Sequence, residues 1–169
     1  MRLKCFKKII AAVISAAVLF LSACSQSEKK TLNYEQPVAS FKGSLNAFDE
    51  TAYLCCFLPQ EKARFLSSDS YSEGFLEDEL STHERIGGIG IKISDSRELS
   101  REELDALEEE YKEGSSLRLN FTKGQQLDLD FIMQKKNGPH KSSCEMTVVR
   151  YENVWYIYGG VIDSFSFLD

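Results

Sequence analysis

Apolar residues recur at every third or fourth position from about residue 36 to residue 80, and at every second position through most of the chain from residue 86 onward. Val38, Phe41, Leu45 and Phe48 make one stripe at helical spacing behind Pro37, a residue suited to a helix's first turn. Asp49-Glu50-Thr51 interrupts the stripe and offers a cap to a second short helix carrying Leu54, Phe57 and Leu58, which Pro59 is expected to end. A third helical piece over 60–66 is expected to bury Phe65 and Leu66 before a turn at Ser67-Ser68-Asp69-Ser70. Ser70 and Glu73 have the spacing of a capping box for a helix that presents Tyr71, Phe75, Leu76 and Leu80.

From Ile86 the period falls to two: Ile89, Ile91 and Ile93 alternate with Gly90, Lys92 and Ser94, the pattern of a strand wet on one face. Ser100 and Glu103 form another capping box, and the helix behind it carries Leu104, Leu107 and Tyr111, with Gly114 as its expected stop. Leu117, Leu119 and Phe121 then alternate with polar residues as a strand. Lys123-Gly124-Gln125 predicts a turn, and Leu127, Leu129, Phe131 and Met133 predict a further strand. After a loop at Asn137-Gly138-Pro139, residues 144–150 and 154–158 predict a hairpin across Tyr151-Glu152-Asn153 that brings Trp155 into the sheet. Short connections between alternating strands mean antiparallel neighbours, so the expected class is α+β: short N-terminal helices packed on one side of a curved, mainly antiparallel sheet.

The residues before this domain have another pattern. Arg2, Lys4, Lys7 and Lys8 precede an apolar run from Ile9 to Leu21, which closes on Leu21-Ser22-Ala23-Cys24. Positive charge stays on the cytoplasmic side while the apolar run enters the bilayer. Its 13 residues fall short of the roughly 20 that a spanning helix needs. The order is that of a cleaved secretion signal over 1–23. Leu21, Ser22, Ala23 and Cys24 resemble the lipobox of bacterial lipoproteins, which implies cleavage before Cys24 and a diacylglycerol on its thiol. Polar residues without periodicity over 24–35 read as a tether holding a single domain, 36–169, about 20 Å from the bilayer.

Charge narrows the range of partners. The 169-residue chain has a net charge of −6, and without the leader's four basic residues 16 basic side chains face 26 acidic ones, a net charge of −10. Such a surface disfavours nucleic acid and electrostatic adhesion to anionic lipid, leaving the lipid on Cys24 as the link to the membrane. The acidic run over 102–110 reads as a solvated helix face.

The order of elements resembles the nuclear transport factor two-like, cystatin-like cone: short helices, a strand, a capped helix, then a meander ending in Asn153-Val154-Trp155-Tyr156. With the lipobox, it resembles small Gram-positive lipoproteins of unknown function that carry such a domain. The resemblance implies a curved sheet around helices, sometimes with a pocket at the wide end. It implies no activity, because this fold serves enzymes, binders and assembly modules alike.

Candidate chemistry is sparse. Cys55, Cys56 and Cys144 remain after lipidation, and in an oxidising exterior Cys55 and Cys144 are the favoured pair, since Cys55 sits beside Leu54 and Cys144 shares parity with Met146 and Val148. A bridge from either Cys55 or Cys56 to Cys144, over a loop of about 90 residues, would contribute about 4–5 kcal/mol in the chain-entropy model. Buried free thiols remain the alternative. With His140 the three sulfurs make a nominal zinc set, but adjacent cysteines chelate one ion poorly and the usual spacer is missing, so no metal or other cofactor is expected. Asp128, Asp130, His83 and His140 are nominal acid–base candidates. The aspartates fall on the wet face and the histidines at a helix terminus and in a loop, and Gly87-Gly88-Ile89-Gly90 lacks the following helix of a phosphate loop. The expectation is a non-catalytic membrane-anchored module that binds a small ligand or an envelope protein. The alternative is a structural module forming a homodimer through its sheet, marked by a continuous outer patch of Tyr156, Tyr158, Phe165 and Phe167.

Overall fold

Helical spacing in the first half of the domain gives helices, and alternation in the second gives a sheet. The computed structural model describes residues 33–83 and 85–168. The expected leader, the lipobox Leu21–Cys24 and the tether up to residue 32 lie outside the described residues. The elements run α1 (Glu35–Ala47), α2 (Glu50–Leu54), α3 (Pro59–Leu66), α4 (Phe75–Ser81), β1 (Arg85–Glu98), α5 (Arg101–Ser115), β2 (Lys123–Lys135), β3 (Gly138–Tyr151), β4 (Val154–Ile157) and a 3-10 turn (Ser166–Leu168). The four strands form one antiparallel meander in the order β1-β2-β3-β4. The chain is therefore α+β, with short helices on a curled antiparallel sheet of the cone-shaped, cystatin-like kind.

The curl follows from one helix meeting both ends of the sheet. α1 packs against β1 and β4, the outermost strands, which a flat four-stranded sheet about 15 Å across would not allow. Val38, Phe41 and Leu45 of α1 join the odd-numbered face of β2, where Leu127, Leu129, Phe131 and Met133 are all buried. Asn46, at the end of α1, ties the helix to the edge of β1. Its Oδ1 accepts from the Ile89 N–H at 2.7 Å, and its Nδ2 donates to the Ile89 carbonyl at 2.9 Å, as a neighbouring strand would. Asn46→Ala leaves both groups without these partners and is expected to cost about 1–3 kcal/mol. Chemical denaturation reads the loss, with faster hydrogen exchange at the Ile89 amide.

Several expected boundaries move, each for a local reason. α2 keeps its Asp49 cap, whose side chain accepts from the Ala52 N–H, but ends at Leu54. Phe57 leaves the helix to bridge Ile157 in parallel and shields the outer edge of β4, so Pro59 opens α3 instead of closing α2. Leu66 is exposed, not buried, because Phe65 takes the inward position of α3. The Ser70–Glu73 box does not form. Glu50 accepts from the Tyr71 hydroxyl at 2.9 Å and from the Gly74 N–H at 3.0 Å, and α4 starts after Gly74, whose φ of +86° suits glycine. The Ser100–Glu103 box forms in full. α5 runs through Gly114 and stops at Ser116, in the left-handed region at φ +58°.

The Leu117–Phe121 strand is absent. α5 takes that segment's main chain instead, Arg101 Nη1 donating to the Phe121 carbonyl at 2.8 Å and Glu108 accepting from the Phe121 N–H at 2.8 Å. Residues 123–125 are not a turn but the start of β2, paired with Val148–Arg150. A Cβ on Gly124 would lie 2.7 Å from Leu99 Cδ1 and 2.8 Å from Leu104 Cδ2, so glycine lets the first turn of α5 sit against the sheet. Gly124 and Val149 face away from the first core, and Val149 joins Leu58, Leu104, Tyr111, Leu119 and Phe121 in a second one. The sheet is thus covered on both faces at this end, where one covered face was expected. The β2–β3 hairpin turns in two residues at Lys136-Asn137, so His140 is on β3 and not in a loop. The β3–β4 hairpin turns at Glu152-Asn153, both at positive φ as a type I′ turn requires.

Candidate functional site

The site arises from unequal strands. β3 has 14 residues and β4 only four, and β4 pairs with residues 148–151 alone. One more bond, from the Tyr158 N–H to the Thr147 carbonyl at 2.9 Å, continues the ladder before Gly159, at φ +105°, turns the chain away. The C-terminal segment then folds onto the core. The Tyr53 hydroxyl donates to the Ile162 carbonyl at 2.5 Å, Phe165 is fully buried, and the Phe167 ring lies 4.9 Å from that of Phe131. Between this segment and β3 lies a cleft of about 420 Å³, bounded by Cys144–Thr147, Ile157, Ile162 and Phe167 among others. Its size and largely apolar wall suit a small ligand or a few side chains. Toward the hairpin tip the inward column of β3 continues as Ser142 and His140, opposite Phe131 and Met133.

A smaller, polar pocket of about 160 Å³ lies between α3, α5 and the residues after β4. Glu61, 2% exposed, is in the first turn of α3 and accepts from the Arg64 guanidinium. Burial, then a hydrogen bond to Glu61, holds the Tyr111 hydroxyl well above the usual tyrosine range. Burial and then the charges of Glu110 and Glu61 push Tyr158 up to about 12, and its hydroxyl donates to the Leu107 carbonyl at 2.9 Å. Glu61 is a buried carboxylate that alternation along the strands gives no reason to expect. Its neighbours in sequence, Gln60 and Lys62, are only half-buried, and the fold alone places it inward.

These shifts have a consequence at high pH. Tyr53 is raised by burial and then by the neighbouring charges of Cys56 and Asp163, and Cys56 is pushed up to about 12 by burial and then by Cys55. Tyr53, Tyr111, Tyr158 and Cys56 thus hold their protons more tightly folded than unfolded. The stability they contribute is complete below the unfolded values, about 8.5 for cysteine and about 10 for tyrosine, and is lost as pH rises through the folded ones. Denaturation midpoints are expected to stay level between about pH 6 and 8 and to fall from about pH 9. The share of tyrosinate absorbance that comes from Tyr53, Tyr111 and Tyr158 should appear together with unfolding, and stability that holds to pH 12 would contradict these assignments.

The sequence-predicted residues are scattered. Cys24 and the lipobox lie outside the described residues. Cys55, Cys56 and Cys144 are free thiols, with the possible Cys55–Cys144 pair unbridged. Because α2 ends at Leu54, the turn points Cys56 into the core and Cys55 outward, where Lys62 Nζ donates to its sulfur at 3.3 Å. Cys144 is half-buried in the cleft, with its thiol raised by burial. Asp128 is exposed and Asp130 half-buried, both on the outer face of β2, and His83 is buried just after α4. The four aromatics whose continuous outer patch would mark a sheet dimer do not form one, since Phe165 is in the core and the other three are half-buried. Among the described residues no set of three or more metal-ligating side chains converges, and no helix is long and apolar enough to cross a membrane. No protein-family model and no curated protein matches the chain.

Proposed function

We propose that the chain is an extracytoplasmic lipoprotein, held to the cell membrane by a diacylglycerol on Cys24, whose domain is a non-catalytic binding module for a small ligand or an envelope protein. The observation that carries the reading is the order of charge, apolar length and small residues over 2–24, ending in Leu21-Ser22-Ala23-Cys24. The domain's own contribution is the apolar cleft beside β3. It has the volume of a ligand pocket, and its wall offers backbone groups and a thiol whose pKa is raised, so that it stays protonated at neutral pH and serves as an apolar surface rather than a nucleophile. The nuclear transport factor two-like resemblance is compatible with this reading, since it implies a cone that sometimes has a pocket at its wide end.

Native mass spectrometry of the protein extracted from its own membrane tests the binding half of this proposal. The expected spectrum contains protein with a bound, non-covalent mass. Cys144→Trp, which fills the cleft with an indole, is expected to lose that mass while keeping the melting temperature within a few degrees. A wild-type spectrum without bound mass, or a bound mass that survives Cys144→Trp, would rule out the cleft as the binding site.

A further inference from the structure

The cleft opens onto the longest run of unpaired main chain in the meander's second half. Thr147 directs its carbonyl toward the β4 side, where Tyr158 bonds it, so Glu145, Ser143 and Lys141, two, four and six residues back, direct theirs the same way. The β2–β3 register is unbroken from Lys123↔Arg150 to Lys135↔Gly138, so no bulge reverses this parity. No hydrogen bond from the described residues reaches the main chain of Lys141, Ser143 or Glu145 on that side, and all three residues are exposed. The other edge of the sheet has its main chain engaged, since α1 lies along β1 and Asn46 occupies both main-chain groups of Ile89, whereas the 3-10 turn Ser166–Leu168 packs beside β3 without a hydrogen bond to the main chain of Lys141, Ser143 or Glu145. Pro139, which has no N–H to give, protects only the hairpin end of β3.

We infer that the free edge of β3, over Lys141–Glu145, takes up an extended segment of another protein as a fifth strand, one with a basic residue flanked on both sides by apolar ones. The unpaired edge groups specify an extended main chain. The inner-face neighbours Cys144 and Met146 border the cleft, so the incoming residues on that face are apolar. On the outer face, Asp95 stands opposite Asp128, and Asp128 opposite Glu145, a row of three carboxylates across β1, β2 and β3 that ends at this edge. The next position in the row belongs to the incoming strand, where a lysine or arginine relieves like-charge opposition and an acid adds to it. A second copy of this chain fits less well. Placing Lys141 of one copy opposite Glu145 of the other also places Pro139 opposite Thr147, a position that Tyr158 already fills. The inference deepens the binding-module reading and rests on it, but not on the lipid anchor.

The test uses the protein extracted from its membrane in detergent and a capped, dye-labelled peptide that alternates valine with, in order, lysine, threonine and glutamate. Fluorescence anisotropy is expected to show saturable binding, and hydrogen exchange should slow in the 141–145 segment alone. Ser143→Pro removes an N–H that points away from β2, so the fold is kept, with unchanged circular dichroism, while affinity falls at least tenfold. Glu145→Lys is expected to reverse the preference between this peptide and its lysine-to-glutamate counterpart, which keeps the proposal testable if the proline variant misfolds. Absence of binding at millimolar peptide overturns the proposal, as does protection on β1 instead of β3, or a peptide-free dimer protected at Ser143. A small molecule still bound in native mass spectra would then leave the binding-module reading standing and sink strand addition alone.

Discussion

Tyr53→Ala is expected to lower the melting temperature by about 10–20 °C. Tyr53 is fully buried, and its ring lies 5.4 Å from Phe41, 5.3 Å from Phe57 and 5.9 Å from both Phe75 and Phe165. Its hydroxyl also holds the C-terminal segment through the Ile162 carbonyl. One side chain therefore joins α1, the α2–α3 connection, α4 and the chain's end. Truncating a buried aromatic costs about 3–5 kcal/mol, and a domain of this size loses about 3–4 °C per kcal/mol. Tyr53→Phe keeps the ring contacts and gives up one hydrogen bond, for about 1 kcal/mol. A melting point for Tyr53→Ala within about 3 °C of wild type would mean that these rings do not form one core.

Cys24→Ala is expected to abolish incorporation of an alkyne-tagged fatty acid, while Cys5→Ala and the triple replacement of Cys55, Cys56 and Cys144 leave it unchanged. Two acyl chains make a stable attachment where one does so only marginally, at about 0.8 kcal/mol per buried methylene. With a net charge of −10 beyond residue 23, the domain has no electrostatic substitute on an anionic membrane. Labelling of Cys24→Ala at the wild-type level would exclude this anchor.

What the amino-acid pattern reveals of this fold depends on whether a residue's partner is near it in the chain. Val38, Phe41 and Leu45 of the α1 stripe, the Asp49 cap, the Ser100–Glu103 box and the odd face of β2 are all local, and each is where spacing places it, whereas Phe48, the stripe's last member, is an exposed residue just past the helix at φ +53°. The Ser70–Glu73 box fails because a carboxylate 24 residues from Gly74 displaces it. Alternation over Leu117–Phe121 buries Leu119 and Phe121 as a strand would, yet Arg101 and Glu108 hold the main chain there. The start of β3 is silent for the opposite reason: its inward residues include His140 and Ser142, so an apolar period of two cannot register. The cleft depends on β4 stopping ten residues short of β3's length and on Phe165 and Phe167 folding back. The Gly159-Gly160 pair marks only where β4 ends, and says nothing of the fold-back that makes the cleft. The leader is legible for the same reason as the caps, because charge, apolar length and cleavage motif are contiguous.

The intact mass of the protein extracted from its native membrane decides whether Cys24 carries the lipid. The expected species begins at Cys24 and carries a diacylglycerol, with the acyl mass confined to the N-terminal fragment after proteolysis. A mass that includes residues 1–23, or an unmodified N-terminal cysteine, would contradict it.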